Sequence, residues 1–501
     1  MKKKLIYNTV TSLLLQIVTL ISGFILPRLL LSHYGTEVNG IVQSITQFLG
    51  VINLAEMGIG QVIHSALYHP LATNNNSLVS KIVVSGQKFY NKIALALILY
   101  VSALIFIYPF YIVPSLDWIF TVTLILSMSV SLFSQYLLGN NDRTLLSADQ
   151  KIYILNTIQI ILSFVNIFVT VLLMKNGFSI QFVKLMSAMI FLVRPVLARI
   201  YINKKYNIER KIKYEEEPIK QKWSGSAQFF MSFVLDGTDN IVLTLFSTLQ
   251  NVSIYSVYFM VISGIRTLHQ SLTVGLQSYI GNIWALQNKE KIESTYSCIE
   301  FGLHTLDVFM FGCTAILILP FVKVYTTGIT DANYYQPIFA ILLTIAYLIT
   351  CLKTTYNIFI LAAGHFKQTQ ICHIVATILN ISISIACVNW LGLVGIAIGT
   401  LVAMTYQMVW MGIYVSKHLL NLSIFRLFKR IAVDVACLAL IFASTFWISL
   451  GSLSYISWIW MAIKVALIVL LDIVVISLVF YSKDCKMLFK LVKSKKRNML
   501  L

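Results

Sequence analysis

The chain has 501 residues, of which 58% are hydrophobic and only 11% are charged. A soluble protein of this length carries roughly a quarter charged residues to cover its surface, so this composition excludes that class and indicates an integral membrane protein. Lys and Arg number 38 against 19 Asp and Glu, which gives a formal net charge of +19. In a membrane protein such an excess reports on topology, and we expect no nucleic-acid partner.

Apolar runs of about 20 residues or more, the length needed to cross a bilayer, predict fourteen transmembrane helices. In chain order they span residues 5–32, 41–66, 92–113, 118–138, 152–174, 180–202, 223–246, 253–285, 298–322, 337–362, 371–391, 393–415, 431–451 and 457–481. The first run is too long for the apolar core of a secretory signal and contains no small-residue cleavage motif. The predicted fold class is therefore an all-α integral membrane protein with fourteen transmembrane helices.

The distribution of Lys and Arg over the predicted loops supports an even number of spans. With the N-terminus in the cytoplasm, the inside loops and tail hold 29 of the 38 Lys and Arg, whereas the outside loops hold Lys175 and Lys323. This asymmetry follows the positive-inside rule, and one helix more or fewer would destroy it. The sequence thus predicts a multi-pass protein of the cell membrane with both termini in the cytoplasm.

The longest inside loop divides the predicted spans into groups. We expect an N-lobe of six helices in residues 1–202, a cytoplasmic linker at 203–222 and a C-lobe of six helices in 223–415. Residues 416–501 would form a final helix pair and a basic cytoplasmic tail. Two six-helix lobes around a central cavity are typical of transporters built from internal repeats.

Seven cationic side chains fall within the predicted spans: Arg28, Lys184, Arg194, Arg199, Arg266, Lys353 and Lys464. Lys184, Arg194 and Arg199 lie near helix ends, so we expect them to snorkel to the interface. Arg28 follows a proline near the outer end of its span, and both a snorkelling and a cavity position remain open.

Two further cations lie far from the ends of their spans. Arg266 and Lys353 are more than eight residues from either end. A charge at the centre of a helix costs about 2.5–3.5 kcal/mol on insertion scales, so we expect both to face protein or a water-filled cavity.

Polar side chains at helical spacing form stripes on five of the predicted spans. They include Asn8, Ser12, Gln16 and Thr19 on the first span; Asn53, Glu56 and His64 on the second; Asp236 and Asp239 on the seventh; Arg266 and Gln270 on the eighth; and His373, Asn380 and Ser384 on the eleventh. Stripes of this kind can serve as hydrogen-bonded contacts between helices in lipid. Because three of the five carry full charges, we favour a shared hydrated cavity instead. Glu56 would face it near Arg28, Arg266 or Lys353, with a structural ion pair as the alternative.

The stretch SGFILPRLLLSHYGTEVNGIVQSITQFLGVINLAEMGIGQVIHSALYHPLA, residues 22–72, closely resembles bacterial polysaccharide-unit flippases of the Wzx type. These belong to the multidrug/oligosaccharidyl-lipid/polysaccharide exporter superfamily. LDGTDNIVLTLF at 235–246 and GLVGIAIGTLVA at 392–403 look like the seventh and twelfth helices of that family. The resemblance implies an alternating-access flippase that moves undecaprenyl-pyrophosphate-linked oligosaccharide from the inner to the outer leaflet. It would serve surface polysaccharide assembly, as for capsule or O-antigen, beside membrane lipid and other glycan-assembly proteins.

The resemblance also implies roles for individual residues. The related lipid II flippase uses cavity arginines on its first and eighth helices and a glutamate on its second, which match Arg28, Arg266 and Glu56 by position. We add Lys353, Asn53 and Gln270 as substrate-binding cavity residues. The sodium site of that relative corresponds to Asp239, Asn380 and Thr400, with Asp236 as a further titrating candidate. The relative's second aspartate on helix eleven has no counterpart here, so the choice between Na⁺ and H⁺ as coupling ion remains open.

Other functions fit these residues less well. No GxxxxGK[ST] motif occurs, so transport would depend on an ion gradient, the membrane potential or product removal. A cation-coupled multidrug antiporter would need an acidic, aromatic cavity, which the central Arg266 and Lys353 oppose. A membrane-bound polysaccharide polymerase or glycosyltransferase would need sizeable outside loops, and the predicted ones are short. We therefore expect a transporter and not an enzyme, with no cofactor and no metal other than a coupling Na⁺.

Overall fold

The computed structural model describes residues 2–56, 59–114, 116–214, 216–218, 237–285 and 289–481. Within these ranges the secondary structure is helical and contains no strand, which confirms the predicted fold class. The chain divides into two compact units, Met1–Phe233 and Val234–Leu501. The predicted lobe and linker boundaries remain predictions.

The first unit consists of helices α1 to α8. Their bounds are α1 Lys2–Gly50, α2 Asn53–Glu56, α3 Ile59–Ala72, α4 Asn76–Ile107, α5 Trp118–Ser134, α6 Asn140–Ala148, α7 Ile152–Lys175 and α8 Ile180–Lys205. Single π-helical turns, Tyr108–Ile112 and Gln135–Gly139, follow α4 and α5. Helix α7 packs against α1 and α8, and α8 also packs against α5.

The second unit consists of helices α9 to α16. The described part of α9 covers residues 237–246. The others are α10 Leu249–Ala285, α11 Lys289–Tyr325, α12 Pro337–Ala362, α13 Phe366–Leu391, α14 Leu393–Tyr414, α15 Ile424–Thr445 and α16 Tyr455–Phe480. Helix α14 packs against α12 and α13, and α15 and α16 pack against α11.

The first two predicted spans differ from the structure. Helix α1 continues through the predicted loop to Gly50, with a kink at Gly35, whose φ of 84° suits glycine because it has no Cβ. The predicted second span, 41–66, is instead interrupted by a turn at Val51 and Ile52 before α2 and α3. Glu56 therefore lies four residues after this turn, in the described helical segment Asn53–Glu56, and not in the middle of an uninterrupted span from residue 41.

Ten helices in the described part of the chain are long and apolar enough to cross a membrane. The protein is thus a multi-pass membrane protein, whereas the count of fourteen and the orientation of the termini stay predictions. The predicted seventh span, 223–246, lies mostly outside the described residues. Large apolar side chains are exposed on the helices, among them Tyr111, Trp390 and Phe446 at 83%, 86% and 83%. Such surface is stable where it contacts lipid.

The junction between α13 and α14 was predicted closely. A single residue, Gly392, connects the two helices with φ 53°, a conformation that favours glycine. A Cβ on Gly395 would lie 2.6 Å from the Cys387 carbonyl, and one on Gly399 would lie 2.2 Å from Ser384 Oγ. Small residues of this kind let two membrane helices approach closely. They bring Asn380 of α13 beside Thr400 of α14.

Candidate functional site

Glu56 is held by hydrogen bonds from two neighbouring helices of the first unit. Tyr90 of α4 donates its hydroxyl proton to Glu56 Oε1 at 3.3 Å, and Asn140 of α6 donates to Oε2 at 2.9 Å. Tyr136 donates to Asn53 Oδ1 at 2.8 Å, one turn before Glu56. The helical segment that follows the turn at Val51 and Ile52 thus places a carboxylate within reach of α4 and α6.

A polar cavity of about 310 Å³ opens beside this carboxylate. It is lined by Glu56, Gly60, His64, Asn140, Arg143, Thr144 and Ser147. His64 Nε2 lies 3.1 Å from Ser147 Oγ, so the wall is hydrogen-bonded across α3 and α6. A cavity of this size with convergent polar groups is typical of a ligand site.

The cation on this wall is Arg143, which the sequence analysis assigned to an inside loop. Arg28, expected near Glu56, does not line the cavity and lies half-buried on α1. A π-helical turn connects α5 directly to α6. The polar residues after Gly139, which were predicted to form a loop, are therefore helical. Asn140, Arg143, Thr144 and Ser147 recur at i, i+3, i+4 and i+7, and this spacing could have revealed the face.

A second cavity in the first unit, of about 460 Å³, contains Lys184 in its wall. Polar side chains of α1, α5 and α8 share it, including Thr46, Gln47, Ser131 and Ser187. Asn53 also lines it, although its side chain is exposed. Lys184 was expected to snorkel, but the structure places it half-buried among hydroxyl and amide groups.

The two arginines near the end of α8 also point into the protein. Arg199 Nε donates to Asp142 Oδ2 at 2.5 Å, and Asp142 is fully buried. The expectation that Arg199 snorkels is therefore wrong, because a buried carboxylate on α6 offers a stronger partner than the interface does. Arg194 lines a small cavity of about 20 Å³ that Arg143 also lines.

Arg266 and Lys353 lie on the neighbouring helices α10 and α12 of the second unit, and both are half-buried. The Arg266 guanidinium carbon lies 5.9 Å from the centre of the Tyr347 ring, a cation–π distance. The Lys353 ammonium donates to Gln407 Oε1 of α14 and lies 3.5 Å from Met404 Sδ. Both cations thus contact protein groups, whereas Gln270, one turn along from Arg266, is exposed.

The predicted ion-coupling residues meet in a buried cluster at the junction of α9, α13 and α14. Thr400 Oγ1 lies 3.0 and 2.9 Å from the two Asp239 carboxylate oxygens, and Asn380 Nδ2 lies 3.4 Å from Oδ1. Tyr255 of α10, which was not predicted for this cluster, donates to Asp239 Oδ2 at 2.9 Å. Asp236 lies outside the described residues.

The cluster offers oxygen donors in a site closed to water. Asp239 and Thr400 are each 2% exposed and Asn380 is 0% exposed. The Asn380 Oδ1 oxygen is buried and has no hydrogen-bond partner among the described residues. Carboxylate, hydroxyl and amide oxygens suit a hard cation, so Asp239, Thr400 and Asn380 are the residues that could hold Na⁺.

A charged cluster outside the membrane-spanning helices joins three segments of the first unit. Asp149 lies 2.6 Å from Lys151 Nζ and 3.3 Å from Lys4 Nζ, and it accepts a hydrogen bond from Tyr206. Partial burial raises the pKa of Asp149. The hydrogen bonds from Lys151 and Tyr206 and the positive charges of both lysines lower this pKa by a larger amount. The net result is a pKa below the ordinary value of the carboxyl group.

Comparison with known proteins defines the fold. No family model matches the chain, and no curated protein matches it by sequence. Among solved structures, the lipid II flippase MurJ in an inward closed conformation has a TM-score of 0.71 at 17% identity, over 95% of this chain and 99% of that one. An inward-facing multidrug resistance MATE family transporter of the MOP superfamily has a TM-score of 0.62 at 15% identity, over 80% and 95%.

A third structure widens the range of functions found on this fold. It is a MOP superfamily transporter from Pyrococcus furiosus whose binding pocket of reverse polarity suggests a different function. Its TM-score is 0.54 at 14% identity, over 83% of this chain and 96% of that one. The chain therefore has the fold of MOP-superfamily transporters and flippases.

Proposed function

We propose that the protein is a flippase that carries undecaprenyl-pyrophosphate-linked oligosaccharide from the inner to the outer leaflet by alternating access, for surface polysaccharide assembly. The observation that carries this proposal is the position of Arg266 and Lys353. Two cations sit at the middle of adjacent apolar helices and contact protein side chains, within the fold of a lipid II flippase. Intramembrane cations in such a setting mark the path of a charged substrate.

The chemistry of a diphosphate head group fits these side chains. Pyrophosphate carries about two negative charges, and moving it unpaired through hydrocarbon would be prohibitively costly. Arginine offers a bidentate fork to phosphate oxygens, whereas lysine offers a compact point charge. In the first unit, Arg143 and Lys184 lie in cavity walls rich in amide and hydroxyl groups, which suit the sugar hydroxyls.

The remaining parts of the cycle follow from the same fold. The polyprenyl tail can stay in lipid, and we propose that α15 and α16 form a groove for it. The cluster of Asp239, Asn380 and Thr400 is the proposed coupling site for Na⁺ or H⁺, with its oxygen donors already assembled.

A chromosomal replacement series tests the flippase proposal. We expect Arg266→Ala to abolish surface glycan and to cause lipid-linked intermediate to accumulate on the cytoplasmic side, while the protein reaches the membrane in normal amount. Arg266→Lys should retain part of the export, because it keeps the charge but loses the fork. The exposed Lys175 of the first unit provides the control, since Lys175→Ala removes a cation that lines none of the cavities described above. Normal surface glycan in an Arg266→Ala, Lys353→Ala double variant would refute the proposal.

A multidrug antiporter is the second candidate, and aromatic packing favours it. Phe259 stacks on Tyr255 with ring centres 5.6 Å apart and lies 5.5 Å from Tyr347, beside the carboxylate of Asp239. Aromatic rings and a carboxylate are the groups that bind organic cations. However, Arg266 lies over the Tyr347 ring and would repel such a substrate. Drug-resistance assays run beside the glycan assay separate the two candidates.

A further inference from the structure

Two histidine–aspartate pairs are buried in the second unit and belong to none of the predicted sites. His269 Nδ1 of α10 lies 2.6 Å from Asp307 Oδ1 of α11. His304 Nδ1 of α11 lies 2.6 Å from Asp434 Oδ2 of α15. The exposed fractions of His269, Asp307 and His304 are 1%, 0% and 0%, so at least three of these four groups have no access to bulk water.

The two pairs are adjacent. His304 and Asp307 are three residues apart on α11, so they lie on the same face of that helix. Asp307 interacts electrostatically with both members of the other pair, His304 and Asp434. The Tyr356 hydroxyl of α12 lies 3.3 Å from His304 Nε2, which extends the network to a fourth helix.

In the His269–Asp307 pair, each side chain has one polar atom that is not part of the contact between them. Among the described residues, His269 Nε2 and Asp307 Oδ2 are buried and make no hydrogen bond. An ionised carboxylate only accepts hydrogen bonds, so the tautomer that satisfies this contact carries its proton on Nδ1 and leaves the Nε2 lone pair free. A neutral histidine in this arrangement is a proton acceptor, and histidine is the side chain that ordinarily titrates between pH 5 and 8.

A purely structural junction would not require these groups. Asn, Gln or Ser can connect helices in a membrane without any ionisable group, at much lower cost than a carboxylate. Here four ionisable side chains connect α10, α11 and α15. Chains of Asp, Glu and His inside a membrane are typical of proton relays.

The pairs also lie beside a proposed substrate cation. Arg266 precedes His269 by three residues on α10, so the two side chains are neighbours on one helix face. In the described part of the chain, the other charged or titratable groups around the pairs include Cys351, Lys353 and Tyr356 on α12, Glu300 on α11, Arg426, Arg430 and Cys437 on α15, Asp472 on α16, and Tyr481. Protonation of the first pair changes its charge from −1 to 0 within one helical turn of Arg266.

We propose that His269–Asp307 and His304–Asp434 form a proton-binding site whose occupancy controls the affinity of Arg266 for an anionic substrate. This inference rests on the proposed function and deepens it, since it makes a proton a coupling ion at a site separate from Asp239. The proton enters at His269 Nε2, Asp307 keeps its bond to Nδ1, and the second pair provides the route towards α15. Loss of the negative charge strengthens the attraction of Arg266 for a diphosphate.

Nitrogen-15 NMR of imidazole-labelled full-length protein in lipid nanodiscs tests the site directly. The chain has eight histidines, and His269→Gln assigns the relevant signal. We expect the His269 Nε2 signal to show that the ring takes up a proton as the pH is lowered, and Asp307→Asn to alter that change. Cys351→Ser is the matched control. Its sulfur lies within 4.8 Å of the donor atoms of His269 and Asp307, yet the change removes neither a histidine nor a carboxylate. If His269→Gln does not reach the membrane, His304→Gln is used instead. It identifies the NMR signal of His304, and the signal of His269 can still be measured in that variant.

Binding of inorganic pyrophosphate to the purified protein tests the coupling. A unit charge roughly 6 Å from another, at an effective dielectric constant of about 20, changes affinity by about a hundredfold, and screening by salt reduces this effect. The ratio of affinities at pH 6 and pH 8 should therefore fall by at least about tenfold in His269→Gln relative to wild type, because titration of the ligand itself cancels in that comparison. A His269 ring with one ionisation state from pH 5 to 9, or equal ratios in the two proteins, would overturn the inference. Either result leaves the Arg266→Ala export test standing, so the two proposals fail separately.

Discussion

Replacing Gly399 by alanine should separate α13 from α14 and disturb the cluster between them. The added Cβ would lie 2.2 Å from Ser384 Oγ and 3.0 Å from the backbone oxygen of Asn380 and the backbone nitrogen of Ser384. A hydroxyl can rotate away, but the two backbone atoms cannot move without shifting the helix. Overpacking of this kind costs typically about 1–3 kcal/mol.

A second glycine provides the matched control. Gly302 of α11 has no described heavy atom within 4 Å of the position where its Cβ would lie. There the substitution should stabilise the protein by up to about 1 kcal/mol, since alanine is the better helix former. The two variants differ in nothing but the position of one methyl group.

Thermal unfolding in detergent, with surface glycan measured in parallel, distinguishes the two effects. We expect Gly302→Ala to unfold at or above the wild-type temperature and to export normally. Gly399→Ala should unfold several degrees lower, at about 2–4 °C per kcal/mol, and should lose export because Asn380 and Thr400 move apart. Equal unfolding temperatures for the two variants would show that α13 and α14 are not closely packed at this point.

Three other expectations address separate features of the molecule. Thr400→Val removes the hydroxyl bound to Asp239 while keeping the side-chain shape, so it should abolish any stabilisation of the protein by NaCl relative to choline chloride in thermal unfolding. Asp142→Asn leaves the Arg199 charge half-buried without its carboxylate, and should destabilise the first unit by about 3–5 kcal/mol in chemical unfolding; a loss below 1 kcal/mol would contradict a close ion pair. Asp149→Asn should matter only where the carboxylate is ionised. Because its pKa is lowered in the folded protein, its stabilisation is complete above the unfolded pKa of about 4 and disappears as the pH falls through the folded value. The difference in unfolding temperature between wild type and variant should therefore shrink below pH 4, and a constant difference would exclude this cause.

Several features of the fold could be predicted because they depend on local pattern. The apolar runs placed the ends of α10, α12, α13, α14 and α16 to within five residues, whereas α11 and α15 begin nine and seven residues before their predicted spans. Gly392 marked the single-residue junction between α13 and α14. Asp239, Asn380 and Thr400 also meet as expected, although their role in ion coupling remains untested. A glycine between two apolar runs can be recognised from a single sequence, because it requires no knowledge of distant contacts.

Other features depend on contacts between distant segments, which hydropathy does not report. Averaging over a window concealed the break at Val51 and Ile52, because both sides of it are apolar. Arg143 was assigned to a loop because the window ended at the polar residues of α6. Arg199 was expected at the interface because its partner, Asp142, lies 57 residues away on a different helix. Helical spacing indicates which face a side chain occupies, but not the group that lies opposite.

The junction at Gly392 limits how the cluster around Asp239 can open. A single residue connects α13 and α14 and glycines lie at their contact, so we expect this hairpin of two helices to tilt as one body. Asn380 and Thr400 lie on opposite arms of that hairpin, so their separation stays constant as it tilts. We therefore expect the cluster to widen or narrow when α9 carries Asp239 away from α13 and α14 or towards them. A bound cation would register the position of Asp239 on α9, and its release would report that α9 had withdrawn.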